Sequence, residues 1–397
     1  MFFFLPYKIE RRFRSFPWVT VTLIVLNVAV YAATAWNLEA VFPVFGFRPN
    51  AAAVYTWFTY MFIHGGLMHL VGNMYFLWLF GSMAEDGLGK VRYTILYFAG
   101  GLAAAVLHAL ITAVTTPEFG AVPLVGASGA IAAVIGVVAV RMYRARIRVA
   151  YFFIIFFVPR WGTWKMSAAV GVGLYLAQEL AYGVISTVFP SGTAHWAHVG
   201  GLIAGVVLGL SWGSLRDAAT EYLAEEAEGY VAAGLGDVAA AKYSELAEKD
   251  PDNPDWLLEK LRSSLIADIP NQGQICQDFA KLAILLQKAG RSQQIVETYR
   301  IVAQGSQLEQ MLDSHTLQMV ASAAESLRDF DTAQRAYATL LVVHPTSTEA
   351  ERALFRLAHI YLARGEREEA LQTWRAFAES YPQSAWLPYA DSSLAAS

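Results

Sequence analysis

The sequence has only one cysteine, few charged residues and, over its second half, no long apolar run. Cys276 is the only cysteine among 397 residues, which excludes an intramolecular disulfide and a zinc site built from cysteines. Charged residues make up 16% of the chain and hydrophobic residues 56%. This hydrophobic content is high for a purely soluble protein, so part of the chain is expected to lie in a membrane.

Charge and apolar runs divide the chain into two parts. Residues 1–215 hold 13 Lys and Arg against 6 Asp and Glu, whereas residues 216–397 hold 16 against 27. Only the first part contains apolar runs close to the roughly 20 helical residues that cross a hydrocarbon layer of about 30 Å. The sequence therefore predicts a cytoplasmic segment at 1–16, a membrane domain at 17–215 and a soluble cytoplasmic domain at 216–397.

Hydropathy predicts six membrane spans, at residues 18–36, 67–84, 93–114, 126–142, 166–188 and 196–213. Lys and Arg collect before the first span and in the loops that follow the second and fourth, which places these segments and both chain termini in the cytoplasm. The apolar segment 149–158 is too short to span and is expected to be buried or interfacial. We expect an integral protein of a bacterial cytoplasmic membrane.

Polar side chains inside spans are costly and are therefore candidates for function. They collect at the outer ends of three spans, as His64, His69, Asn73, Ser128, His195 and His198. Nucleophilic catalysis needs a hydroxyl, a base within hydrogen-bond reach and donors for a developing oxyanion. Ser128 offers the hydroxyl, a histidine of the sixth span offers the base, and the side chains of His69 and Asn73, four residues apart, offer donors.

Small residues indicate how two of these helices approach each other. Gly201 and Gly205 follow His198 at helical spacing, and Gly136 lies on the same helical face as Ser128. Such residues let helix backbones come close in a membrane, so contact between the fourth and sixth spans is predicted. Each feature alone has a simpler explanation, as packing, as an interfacial anchor or, for paired histidines, as metal ligands. Their joint occurrence at one depth favours catalysis.

Three motifs resemble those of rhomboid intramembrane serine proteases: H-G-G-x-x-H-x-x-x-N at 64–73, G-x-S-G at 126–129 and A-H-x-G-G at 197–201. The resemblance covers residues 17–213 and implies an all-α bundle of six transmembrane helices. It also implies Ser128 as nucleophile, His198 as base, and no metal or cofactor. The oxyanion donors implied are His69 and Asn73, and the structural residues near the site are His64, Gly126, Gly129, Gly201 and Gly205. Substrates would be membrane-spanning proteins cut near the outer membrane face.

Some residues depart from the family pattern or have no assigned role. Ala132 stands where relatives often place an aromatic ring against the histidine, so no residue is assigned to orient His198. His195 lies one turn before His198 and is a second candidate base, although the family motif favours His198. Tyr55 and Thr56 replace a Trp-Arg pair of many relatives. A catalytically inactive relative that binds membrane clients is therefore the alternative function.

Three further polar residues are interpreted as structural. Glu179 in the fifth span and His108 in the third have no partner that the sequence identifies. Glu85, at the inner end of the second span, matches a position that the family commonly fills with a structural glutamate.

The second half resembles a tetratricopeptide array. Helical spacing of small and aromatic residues recurs with a terminal proline, most clearly at Leu354, Leu357, Ala358, Tyr361, Gly365, Ala370, Trp374, Phe377 and Pro382. This resemblance implies a soluble solenoid of three to four helix pairs that binds a protein or peptide. A domain that only stabilises or dimerises the membrane part is the alternative. The domain is acidic and has no basic stripe, so no nucleic-acid partner is expected.

Overall fold

The computed structural model describes residues 2–9, 15–155, 158–189, 192–304, 308–389 and 392. The chain divides into two compact units, residues 1–219 and 220–397. The helices that lie wholly in the first unit are α1 (Trp18–Thr34), α2 (Leu38–Phe45), α3 (Thr56–Thr59), α4 (Leu67–Phe76), α5 (Ser82–Leu88), α6 (Lys90–Thr115), α7 (Ser128–Arg141), α8 (Ala168–Ser186) and α9 (His195–Ser211). A π-helical turn, Leu77–Gly81, joins α4 to α5.

Three helices of the described residues are long and apolar enough to cross a membrane: Leu67–Leu88, which combines α4 and α5, together with α6 and α8. A fourth is obtained if α9 is counted with the following helix, Ser214–Ala232, as one bent pair. The helices α1 and α7 are apolar but shorter, at 17 and 14 residues. All six predicted spans thus correspond to apolar helices, but the number of crossings stays a prediction.

The structure is mostly helical, as predicted, but the first unit also contains a three-stranded antiparallel sheet that the all-α fold class did not include. Its strands are β1 (Phe2–Ile9), β2 (Arg146–Ile155) and β3 (Val158–Ser167), in the order β1-β2-β3. The register pairs Phe2 with Phe153 and Arg146 with Ser167. β-branched and aromatic residues dominate β2 and favour the extended backbone. The strand was missed because a continuous apolar run has no period of two to distinguish it from a buried helix.

Glu85 fixes the start of α1. Its two carboxylate oxygens accept hydrogen bonds from the backbone N–H groups of Val19, at 3.0 Å, and Thr20, at 2.8 Å. The first N–H groups of a helix lack partners within the helix, and the residue before α1 is Pro17, whose side chain provides no cap. The carboxylate from α5 therefore caps α1, which confirms the structural role expected for Glu85.

Backbone-to-backbone packing of α7 against α9 is the central contact of the first unit. A Cβ atom added at Gly201 would overlap the carbonyl oxygen of Gly129, and one added at Gly205 would overlap that of Ala133. Only glycine fits at these two positions of α9, because the obstructing atoms belong to the backbone of α7. The predicted close approach of the fourth and sixth spans is confirmed.

The second unit is helical throughout its described residues. Its helices are α10 (Ser214–Ala232), which begins in the first unit, then α11 (Gly236–Lys249), α12 (Pro254–Leu265), α13 (Gln272–Lys288), α14 (Ser292–Ala303), α15 (Ser314–Ser326), α16 (Phe330–Val343), α17 (Ala350–Arg364) and α18 (Arg367–Ser380). Four short connections within helix pairs each contain one residue of positive φ, namely Gly234, Gly290, Arg328 and Gly365. This left-handed turn recurs as expected for a helical repeat.

Candidate active site

Ser128 and His198 are in direct contact. Ser128 is the first residue of α7 and His198 lies in the first turn of α9. The Nε2 atom of His198 lies 2.8 Å from the Oγ atom of Ser128, which is a good hydrogen-bond distance. The close packing of the two helices below this point, at Gly129 and Gly201, brings the two side chains together.

Glu179 occupies the other side of the His198 ring. Its Oε2 atom, carried by α8, lies 3.0 Å from the Nδ1 atom of His198 and 2.8 Å from the Nδ1 atom of His195. The side chains of Glu179, His195 and His198 are 7%, 10% and 13% exposed. Three helices therefore place Ser128, His198 and Glu179 in a connected row of hydrogen bonds.

His195 has a different environment from the one expected. An interfacial anchor was one explanation that the sequence left open for such a histidine, whereas the residue is buried and bonds to Glu179. Its ring also packs 5.5 Å from that of Tyr182, measured between centroids. Among the two candidate bases, the structure brings His198 to the Ser128 hydroxyl and directs the Nδ1 atom of His195 to the carboxylate.

The proposed oxyanion donors border the turn that precedes Ser128. Gly126 has φ +115°, a conformation that side chains rarely adopt, and a Cβ atom there would lie 2.8 Å from the His69 ring and 3.5 Å from Nδ2 of Asn73. The backbone N–H of Gly65 donates to Nδ1 of His69 at 3.3 Å, so a neutral ring carries its proton on Nε2, the atom nearest this turn.

Asn73 carries a donor that has no acceptor. Its side chain is buried, and no described residue accepts a hydrogen bond from its Nδ2 atom. An unpaired buried amide is costly, so an acceptor is expected to bind there during function. The N-terminus of α7 adds unpaired backbone N–H groups at Ser128, because Ala127 provides no side-chain cap. His69, Asn73 and Ser128 line one cavity, so donors from all three elements face the same space.

His64 supports His69 rather than the nucleophile. It is fully buried, and its ring centroid lies 5.2 Å from that of His69 in an edge-on arrangement. Its Nδ1 atom lies 3.3 Å from the carbonyl oxygen of Phe62, which identifies Nδ1 as the protonated nitrogen. The structural role that the family resemblance implies for His64 stays a prediction.

A cavity of ≈ 1110 Å³ surrounds the site. Ser128, His198, His69 and Asn73 all line it, and so does His108, which the sequence analysis interpreted as structural. Trp164 and Met166 of β3 and Tyr175 of α8 contribute to the apolar part of the wall. The cavity is large enough to admit an extended segment of a polypeptide.

Glu179, His195 and His198 together could also hold a metal ion. One potential ligand atom from each of the three lies within 4.8 Å of the others. Two nitrogens and one carboxylate oxygen are a donor set that suits zinc. No metal was expected from the sequence, and the same three residues are joined by hydrogen bonds through Oε2 of Glu179.

Sequence reasoning missed the contact between Glu179 and the histidines. The signal was present, because Glu179 is the only Asp or Glu within the predicted spans 3 to 6 and a buried carboxylate requires a partner. His195 and His198 share one face of α9 at a spacing of three residues, so a single acceptor on a neighbouring helix could serve both.

The chain is similar to proteins of one membrane family. Residues 51–214 match the Rhomboid domain model, and residues 352–384 match a tetratricopeptide repeat. The first unit is thus similar to the Rhomboid domain, and a match to a tetratricopeptide repeat follows in the second unit. The matched repeat coincides with α17 and α18.

Curated relatives agree with this assignment. "RHOMBOID-like protein 6, mitochondrial" of Arabidopsis thaliana is 28% identical over 153 residues, which are 38% of this chain and 41% of the relative. "Presenilin-associated rhomboid-like protein A, mitochondrial" of Danio rerio is 30% identical over 145 residues, and its Bos taurus counterpart 28%; each match covers 36% of this chain and 34% of the relative. The chain therefore matches only about a third to two fifths of these relatives' lengths.

The relatives overturn the location expected from the sequence. We expected a bacterial cytoplasmic membrane, whereas the rhomboid-like proteins named above are mitochondrial proteins of a plant and of animals. The expectation rested on loop charges, which report the orientation of spans and do not distinguish a bacterial membrane from an organellar one.

Proposed function

We propose that the protein is an intramembrane serine endopeptidase that cuts membrane-spanning protein substrates with Ser128 as nucleophile and His198 as general base. The observation that carries this proposal is the 2.8 Å contact between Nε2 of His198 and Oγ of Ser128. A nucleophile and base within hydrogen-bond reach, with donors beside them, are the parts that acyl transfer requires. The relatives' names favour a mitochondrial membrane as the location.

The reaction follows from the order of the groups. The Ser128 hydroxyl passes its proton to Nε2 of His198 while Oγ attacks the substrate carbonyl carbon, and the carbonyl electron pair moves to oxygen. Donors from His69, Asn73 and the N-terminus of α7 stabilise this oxyanion. As the carbon–nitrogen bond breaks, His198 returns the proton to the leaving amine. A water activated by the same histidine then hydrolyses the acyl-enzyme ester.

The length of α7 supports a site below the membrane surface. Its 14 residues extend about 21 Å, which is less than the hydrocarbon thickness of about 30 Å. If α7 ends at one face of the bilayer, Ser128 at its other end lies several ångströms beneath the opposite face. In the six-span arrangement, the cavity lets water and an unwound substrate segment reach the site at that depth.

The second unit is proposed to bind a protein or peptide ligand and thereby to select clients. Its support is the tetratricopeptide match at residues 352–384, since such repeats present extended binding surfaces. The alternative for the whole chain is an inactive rhomboid relative that binds membrane clients. Both residues of the catalytic pair are present and in contact, which favours the protease.

A serine-directed fluorophosphonate tests the proposal. The purified full chain should be labelled and should cleave a generic membrane-spanning substrate, and Ser128→Ala should abolish both. His198→Ala should also abolish cleavage, and the double variant should be no worse than either single variant because the pair acts as a unit. Ser211→Ala, which changes a serine of α9 outside the cavity, is the matched control. A folded wild-type protein that neither labels nor cleaves would support the inactive alternative.

A further inference from the structure

We infer that Glu179 is a positioning residue that holds His198 in the tautomer and orientation needed to accept the Ser128 proton. The inference rests on the proposed function and completes it, because it supplies the group that orients the base. The observation behind it is the row of contacts from Glu179 Oε2 to His198 Nδ1, at 3.0 Å, and from His198 Nε2 to Ser128 Oγ, at 2.8 Å.

The tautomer follows from hydrogen-bond chemistry. An ionised carboxylate has acceptor sites only, so the Nδ1 atom that faces Glu179 must carry a proton. A neutral imidazole has a single ring proton, which leaves Nε2 of His198 with its lone pair directed at Ser128. In the opposite tautomer Nε2–H would donate to Oγ, so no lone pair would face Ser128 and the nucleophile would have no base.

Glu179 also balances the charge that forms during catalysis. When His198 takes the serine proton it becomes a cation, and its Nδ1 atom stays 3.0 Å from the carboxylate. The carboxylate keeps its charge throughout and receives no proton, so it acts through His198 and does not touch the substrate. Burial strengthens this attraction relative to a pair in water.

His195 holds the carboxylate in place. Its Nδ1 atom donates to the same oxygen at 2.8 Å, and one carboxylate oxygen has two lone pairs for two donors. Tyr175, one turn earlier on α8, also interacts with Glu179. The carboxylate is thus fixed from more than one side, and it takes the orienting role for which the sequence offers no aromatic ring at Ala132.

A purely structural role is the competing explanation. A buried carboxylate between two histidines could simply satisfy polar groups that helix packing encloses. In that case its removal would lower the stability of the fold but would not change the turnover of the molecules that stay folded. The two explanations therefore differ in kinetics and in the position of the His198 ring proton.

The first measurement uses the wild-type chain. Nitrogen NMR of histidine-labelled protein, with the His198 signals identified by their loss in His198→Ala, reports which ring nitrogen is protonated. We expect the proton on Nδ1 and an unprotonated Nε2. A wild-type His198 that carries its proton on Nε2 would overturn the inference, whatever the variants do.

The second measurement compares variants of the full chain at equal folded concentration. Glu179→Gln should lower kcat by about 10²–10⁴-fold with little change in KM, because an amide can donate to Nδ1 and force the wrong tautomer; in soluble serine proteases the corresponding change costs about 10⁴-fold. Glu179→Asp, which keeps the charge, should recover part of the rate. His195→Ala removes the other donor on the same oxygen and should keep at least about a tenth of the wild-type kcat.

The outcomes separate the two proposals. A wild-type chain that is folded but inactive would refute the proposed function. The NMR measurement would then still show which ring nitrogen of His198 carries the proton. If the wild type is active and the kcat of Glu179→Gln lies within threefold of the wild-type value, only the positioning role of Glu179 is refuted. Equal losses of kcat for Glu179→Gln and His195→Ala would also contradict it, since they would show that turnover depends on the polar cluster as a whole and not on the contact between Glu179 and His198. Adding a metal chelator to each assay shows whether an ion bound by the three residues contributes.

Discussion

The backbone contact between α7 and α9 makes Gly201→Ala a sharp test of how the catalytic pair is held together. A Cβ atom at position 201 would overlap the carbonyl oxygen of Gly129 and would lie 3.0 Å from its carbonyl carbon, whereas ordinary contact begins at 3.4 Å. Backbone atoms cannot turn aside as a flexible side chain can, so the helices must separate by about 1 Å or more.

The separation acts directly on the proposed catalytic pair, because Ser128 directly precedes Gly129 and His198 lies one turn before Gly201. The 2.8 Å distance from Nε2 of His198 to Oγ of Ser128 would grow to about 4 Å, beyond hydrogen-bond reach. Misplacement by 1 Å typically costs about 100-fold in rate. Overpacking of this kind also costs about 1–3 kcal/mol of stability. We therefore expect Gly201→Ala to fold less stably and to lose about 100-fold in kcat.

A graded series of glycine substitutions provides the assay. At Gly209 the added Cβ would lie 3.0 Å from a side-chain carbon of Val137, which can adjust, and at Gly173 of α8 it would meet nothing within 4 Å. Cleavage and fluorophosphonate labelling should thus fall strongly for Gly201→Ala, within a few-fold for Gly209→Ala and not at all for Gly173→Ala. A folded Gly201→Ala protein with wild-type turnover would show that backbone contact does not set the geometry of the site.

Three other predictions concern separate parts of the chain. Asn73→Ala should lower kcat by about 10²–10³-fold with a smaller change in KM, measured by steady-state cleavage, because it removes an oxyanion donor; equal changes in both constants would contradict that role. Gly365→Ala should destabilise its helix pair by about 1 kcal/mol and Arg328→Gly should stabilise its own, since both positions have positive φ; hydrogen exchange of the adjacent helices measures both. A chain ended at residue 219 should still cleave a generic substrate in detergent but lose client choice in cells, and a folded, inactive product would show that the units are coupled.

Residues that share one helix face were the easiest part of the site to predict. The contact of Ser128 with His198 follows from two helices whose small residues begin directly after these side chains, so the sequence contains both the chemistry and the means of approach. The pairing of His69 with Asn73 has the same origin, because four residues on one helix fix their relative position. No knowledge of how the helices are rotated was needed.

The contact to Glu179 could not be predicted in the same way. It depends on the rotation of α8 about its own axis, and the apolar surface of a membrane helix gives little periodic signal for that angle. The strand β2 was missed for a related reason, since its apolar run fits a buried strand and a buried helix equally well. In both cases the missing information is tertiary and lies outside any single segment.

The sheet has a consequence for the order in which the protein assembles. β1 is synthesised well before its partner β2, which begins at Arg146, after Ser128 and all of α7. Closing so long a loop is slow compared with forming a local helix pair. Pro6 of β1 lines the cavity and its carbonyl oxygen accepts a hydrogen bond from Tyr75 of α4 at 2.8 Å. Ser128 is therefore synthesised before β1 can pair with β2, and we expect the cavity of a newly made chain to stay more open until this sheet forms.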